Sequence, residues 1–444
     1  MLKKYFKIEL FPALFLKLFL VFLPFQIQSL LYKADWFSGQ FNYFSSFFVN
    51  VSEVFLLLSV LSWGLNRLLK PPLPVRPVLE EKWGDVFQLS LLALVIWAIL
   101  AVFWSSDKHL ALLYAFRWLE FGMLVFLIGR AEVLSGSVVL KYLWWGTFVQ
   151  VIIGLGQYLR QGDLGLWFLG EPRLGADYFN IARIDLGGEK ILRSYGTFAH
   201  ANLFGGFIFV SLALLIKSLN KENYLKNAHF MVVFLLGLLI SFSRSAWLAF
   251  LLFLLALWGL RAIRFNWKQL LLTMVLLVFV MVVFSLDQII LARIWNFSVS
   301  SWDERLLFSG IAREMIAQNY LLGVGPGNFV LMMPMYVGQN LAPWLYQPAH
   351  NFFLMVLSEM GLPALLLWLT VLFSQVKMVL FYQHRRTVSQ RFTSKAYLAL
   401  FCGLALLLLI DHYFYTIWAG QALLGVLLGL ILSDYRIRQR ELAE

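Results

Sequence analysis

Charge is scarce in this sequence. Only 14% of its 444 residues are Asp, Glu, Lys or Arg, 61% are hydrophobic, and mean hydropathy is +0.77. A water-soluble chain of this length exposes far more charge, so a soluble globular protein is excluded. Acidic residues are the scarcer kind, 24 against 36 basic, and none stand at metal-ligand spacing. Asp303 and Glu304 are neighbours and face apart on a helix, so no metal site and no cofactor are predicted. Cysteine occurs once, as Cys402 in an apolar segment, which rules out an intrachain disulfide. The absence of an internal repeat removes support for a transporter built from inverted halves. The run "GVGPGN" at 323–328 has no Lys-Ser/Thr after it and no strand before it, so it reads as a tight turn and not a nucleotide loop. The net charge of +12 is no nucleic-acid signal, because Lys and Arg collect on the cytoplasmic side of membrane proteins.

What the chain does have is a succession of long apolar runs. Spans are predicted at about 9–31, 43–66, 86–104, 111–129, 138–159, 197–216, 229–242, 245–260, 269–286, 351–376, 396–412 and 416–433. The fold class is therefore all-α: a single integral membrane domain over 1–444 with about 12 transmembrane helices. The stretch 229–260 reads either as one bent span or as two short spans turning at Ser241–Ser245. Two spans put both termini and most of the basic connections on the cytoplasmic side, as the positive-inside tendency requires. The N-terminus begins like a signal peptide but lacks a small-x-small cleavage site, so a retained first span is predicted. Two long extracytoplasmic loops remain, about 160–196 and 287–350. The second is helical, precedes the tenth span and carries the candidate catalytic elements.

Three outward clusters hold the polar chemistry. "RSYGTFAHANLFGGF" brings Arg193, His200 and Asn202 to the start of a span, and "SFSRSAW" places Arg244 at a tight turn. The loop from "WDERLLFSGIAREMIAQNY" to "QPAHNFF" carries Arg305, Arg313, His350 and Asn351. Arg305 and Arg313 lie about 80° apart on a helix, on neighbouring faces. Arginines near a bilayer surface suit an anionic lipid headgroup, since a guanidinium binds phosphate oxygens in pairs and keeps its charge when partly buried. A diphosphate leaving group needs such neutralising charge. A sugar hydroxyl attacking it needs a base. His350 qualifies and His200 competes. The plain readings stand beside these: His350–Asn351 as a helix cap with an interfacial ring, Arg244 as a brace of its turn, Arg293 and Arg313 as solvated or lipid-phosphate contacts. Arg117, inside a span, is a functional candidate or half of a buried pair, perhaps with Glu120.

Taken in order, "RSYGTFAHANLFGGF", "SFSRSAWLAF", "ERLLFSGIAREMIAQNYLLGVGPGNF" and "AHNFFLMVLSEMGLPALL" resemble the O-antigen ligase and O-antigen polymerase-like superfamily of bacterial envelope glycosyltransferases. The resemblance covers about 193–366; Ala201 and Tyr320 stand where the family often has Pro. It implies an all-helical bundle in the bacterial inner membrane, with the active site on the extracytoplasmic side. The implied partners are an undecaprenyl-diphosphate-linked glycan donor, a lipid A-core or other glycan acceptor, and the bilayer, without metal or nucleic acid. It further implies His350 as the histidine needed for transfer, with Arg193, Arg305 and Arg244 at the diphosphate. His200, Asn202, Arg313 and Asn351 take substrate-binding or positioning roles. The reading is an inverting glycosyltransferase; the alternatives are a repeat-unit polymerase of the same superfamily and, in another class, a lipid or glycan carrier.

Overall fold

The computed structural model describes residues 10–34, 41–69, 82–175, 178, 181–219, 224–262, 286–295, 299–338, 340–381 and 388–443. Among the described residues the helices of ten residues or more are α1 (Phe11–Phe22), α2 (Val51–Leu69), α3 (Lys82–Leu100), α4 (Lys108–Arg130), α5 (Gly136–Arg160), α6 (Ala201–Ser218), α7 (Tyr224–Ile240), α8 (Arg244–Gly259), α9 (Leu286–Trp295), α10 (Val299–Asn319), α11 (Phe352–Leu380), α12 (Val388–Ile410) and α13 (Trp418–Ala443). Eight of them (α2 to α6 and α11 to α13) are long and apolar enough to cross a bilayer, and α1, α7 and α8 are shorter apolar helices. The span predicted at 269–286 falls almost wholly outside the described residues. The stretch 229–260 is two helices separated by the turn Ser241–Ser243.

Two antiparallel hairpins depart from the all-α expectation: β1 (Gln28–Lys33) with β2 (Ser46–Asn50), and β3 (Arg183–Leu186) with β4 (Glu189–Leu192). The first corrects two predicted spans. α1 stops at Phe22 because Pro24 has no N–H to continue the helical ladder. The chain then turns into β1. α2 starts at Val51 and not at 43, because Asn50 is its cap and Glu53 reaches back to the Asn50 backbone N–H and side-chain amide.

The chain forms two compact units. The first comprises residues 1–146, 303–381 and 408–444. Within it α13 packs along α4, α11 along α3, and α1 against α2. Gly425 and Gly429 of α13 face Phe121 and Ile128 of α4, which lets the two backbones approach closely. Arg117 of α4 is buried and pairs with Glu53 of α2 at 2.8 Å, not with Glu120 as the i+3 spacing suggested. Its guanidinium also lies over the Phe47 ring at 4.2 Å. The second unit comprises residues 147–302 and 382–407. There α6 is enclosed by α7 and α8. Gln157 of α5 latches the stretch after β4, accepting the Tyr195 and Gly196 N–H groups and donating to the Gly196 carbonyl.

Candidate functional site

His350 stands at the end of the segment leading into α11, and Asn351 caps that helix by accepting the Leu354 N–H at 2.9 Å. Asn351 is also tied across the unit, donating its amide to the Leu409 carbonyl at 2.9 Å. These two bonds fix where the imidazole starts. Directly beside it the chain leaves α12 as Asp411–His412. Nδ1 of His350 lies 3.4 Å from Oδ1 of Asp411, whose residue is 2% exposed; the imidazole is 19% exposed. A buried carboxylate on Nδ1 selects the tautomer with Nδ1–H and leaves Nε2 as the basic nitrogen. At 3.4 Å the contact is long for a hydrogen bond.

Arg305 completes the cluster. It is half-buried on α10, and Nη1 donates to the Ile410 carbonyl at 2.9 Å, one residue before Asp411. Phe308, almost one turn further along α10, stacks on His350 with ring centres 6.0 Å apart. The His412 ring meets His350 at 5.0 Å, nearly perpendicular, and its Nδ1 is 2.6 Å from Thr416 Oγ1. Burial pushes the Asp411 carboxyl up. The hydrogen bond from His350 and the charges of Arg305, His350 and His412 outweigh it and hold the carboxyl below its usual range. Arg313 is not part of this cluster; it is exposed and bonds the Ser309 carbonyl of its own helix at 3.3 Å.

The glycine run before His350 has a different task from phosphate binding. The Gly327 and Phe329 N–H groups donate to the buried carboxylate of Glu359 at 2.7 and 3.0 Å, and Tyr415 Oη–H donates to it at 2.8 Å. Gly325 N–H donates to the Glu359 carbonyl. The backbone donors that would cradle a phosphate are thus held by a side chain of α11. Gly323 and Gly361 have φ of 72° each, and a Cβ on either would collide with the other strand of the crossing, the Glu359 and Leu321 carbonyls respectively.

The remaining sequence-predicted residues lie in the second unit. Arg193 is 4% exposed; Nε donates to the Ser241 carbonyl at 3.0 Å and Nη2 to Asn202 Oδ1 at 2.7 Å. Arg293 donates to the next carbonyl, that of Phe242, at 3.1 Å. Two arginines therefore clasp the turn from which Arg244, the first residue of α8, departs. His200 caps α6, its Nδ1 accepting the Asn202 N–H at 3.0 Å. That nitrogen is engaged by the fold, which separates His200 from His350 as a base. Asp411 and His412 escaped the sequence reading. Their signal was present: a charged pair following an apolar run, the mirror image of His350–Asn351 preceding one.

Among the described residues no group of three His, Cys, Asp or Glu side chains could hold a metal ion. The molecule is thus a multi-helix membrane protein with a carboxylate-supported imidazole and an arginine at helix ends. Residues 229–369 match the family model described as O-Antigen ligase, and over that stretch the chain is O-antigen ligase-like. No curated protein matches the sequence.

Proposed function

We propose that the protein is an inverting glycosyltransferase. It moves a glycan from an undecaprenyl-diphosphate-linked donor to an acceptor hydroxyl on the extracytoplasmic face of a bacterial inner membrane. The observation that carries this reading is the His350–Asp411 pair beside Arg305. Nε2 of His350 takes the proton of the acceptor hydroxyl as its oxygen attacks the anomeric carbon. The bond from that carbon to the diphosphate breaks, and its electron pair leaves with the diphosphate. Asp411 orients the imidazole and offsets the positive charge it acquires. A guanidinium has five N–H donors, so Arg305, anchored through one of them on Ile410, has others for phosphate oxygens. Within this unit the resemblance also gives Asn351 a positioning role. A ligase, which ends on a lipid A-core sugar, and a repeat-unit polymerase share this step.

The test is transfer by purified protein supplied with lipid-linked donor and glycan acceptor. His350→Ala and Arg305→Ala each lower transfer at least about a hundredfold, the scale of general-base and charge-stabilising groups. Normal transfer by well-folded His350→Ala refutes the assignment. Counterflow of lipid-linked glycan in proteoliposomes without bond transfer replaces it with a carrier.

A further inference from the structure

The β1–β2 hairpin lies outside the matched segment, yet it is built onto the His350 site. Asn42 donates its side-chain amide to the Tyr346 carbonyl at 3.0 Å, in a buried bond four residues before His350. The same Asn42 holds the turn Tyr43–Ser45 rigid: its Oδ1 accepts from Phe44 and Ser45 N–H, and its carbonyl accepts from the Ser46 hydroxyl at 2.8 Å. That turn sets Phe44 edge-on against His412 at 5.6 Å, and His412 in turn touches His350.

From there an unbroken series of ring contacts leads outward. Phe44 meets Tyr43 at 5.3 Å, Tyr43 stacks on Phe48 at 4.8 Å, and Phe48 meets Phe41 at 6.2 Å. Phe41 is 55% exposed, and Trp344, two residues before the Tyr346 carbonyl that Asn42 holds, is 52% exposed. Exposed aromatic faces beside a rigid turn are a surface that a ligand can cover. Asn42, Ser45 and Ser46 are buried and spend their polar groups on the turn itself, so what the hairpin offers a ligand is its rings, the kind of surface on which the C–H faces of a pyranose lie.

We propose that the hairpin residues Phe41–Phe48, with Trp344, form the subsite for the acceptor glycan and deliver its terminal hydroxyl to His350. This rests on the glycosyltransferase reading. It assigns acceptor choice to a segment that the family match does not include. Outer-leaflet lipid is the competing occupant.

The experiment uses the full chain in nanodiscs and, as probe, core oligosaccharide released from rough lipopolysaccharide by mild acid. Binding is followed by saturation-transfer NMR, and transfer is measured in parallel. Phe41→Ala, Trp344→Ala and Phe44→Leu, the last keeping apolar bulk, each raise the probe Kd by about fivefold to tenfold, while Phe44→Tyr binds as wild type does. In transfer the same variants raise acceptor KM and leave donor KM unchanged. His350→Ala binds the probe normally but does not transfer; if it transfers, the catalytic reading fails while the binding result stands. The inference is overturned if wild type shows no saturable binding, or if the variants bind as wild type does. Quenching of Trp344 by brominated lipid that the probe does not relieve gives the surface to lipid and also overturns it.

Discussion

In the proposed mechanism His350 can act as the base only because of what holds Nδ1. Replacing Asp411 by Asn keeps the shape of the site but removes the charge that fixes the tautomer and balances an imidazolium. Asp411→Asn is expected to lower transfer by about a hundredfold or more with little change in donor KM, measured in the same assay. The carboxyl also links stability to pH. Its folded value is depressed, so its contribution is fully present above the ordinary value of 3.8 and is lost as pH falls through the lower folded value. The groups facing it are Arg305, His350, His412 and Tyr413. Thermal melts in detergent should show wild type above Asp411→Asn at neutral pH, with the gap closing as pH falls below that range. Sequence alone offered Arg305 and, with His200 competing, His350 as candidates, because an imidazole and an arginine stand out in a polar loop. It did not give Asp411, because a carboxylate at a span end has no local partner; its partner is 61 residues away.

The glycine run and α11 form one device. Glu359 accepts two turn N–H groups and a tyrosine hydroxyl, and two glycines, Gly323 and Gly361, let the backbones touch. Glu359→Ala leaves those buried donors unsatisfied. It should cost at least about 2 kcal/mol in chemical denaturation, while Glu359→Gln, which keeps one acceptor oxygen, costs less. Gly361→Ala is expected to fail to accumulate as folded protein by size-exclusion chromatography, since φ of 72° and the Leu321 carbonyl both oppose a Cβ. The turn itself was readable from "GVGPGN". Its anchor was not, since nothing in "LSEMGL" distinguishes a carboxylate that accepts N–H groups from one that faces water. The first hairpin was hidden for a related reason: "SFFVN" runs straight into the apolar α2, "QSLLYK" follows an apolar helix, and only Pro24 marked the break.

At the scale of the whole chain, apolar run length located the helices well, because in hydrocarbon the backbone must satisfy itself. It located their ends poorly, since strands and turns at the rim are apolar too. The family match begins in one compact unit and ends in the other, and Asp411, His412 and the first hairpin all lie beyond it. Orientation is checked by labelling in a Cys402→Ala background. A cysteine placed at Met335 should react with membrane-impermeant maleimide on intact cells' outer face, whereas one at Arg438 should react only after the inner membrane is opened. The Arg117–Glu53 pair has a consequence for biogenesis. The two residues are 64 positions apart, so α2 emerges from the ribosome with its carboxylate bonded to Asn50 but without a counter-charge, and α4 follows later with a lone guanidinium. Neither is at ease in lipid alone. α2 and α4 are therefore expected to enter the bilayer together, and Arg117→Leu, which leaves Glu53 without a counter-charge, is expected to shorten the lifetime of the newly made chain in a pulse-chase.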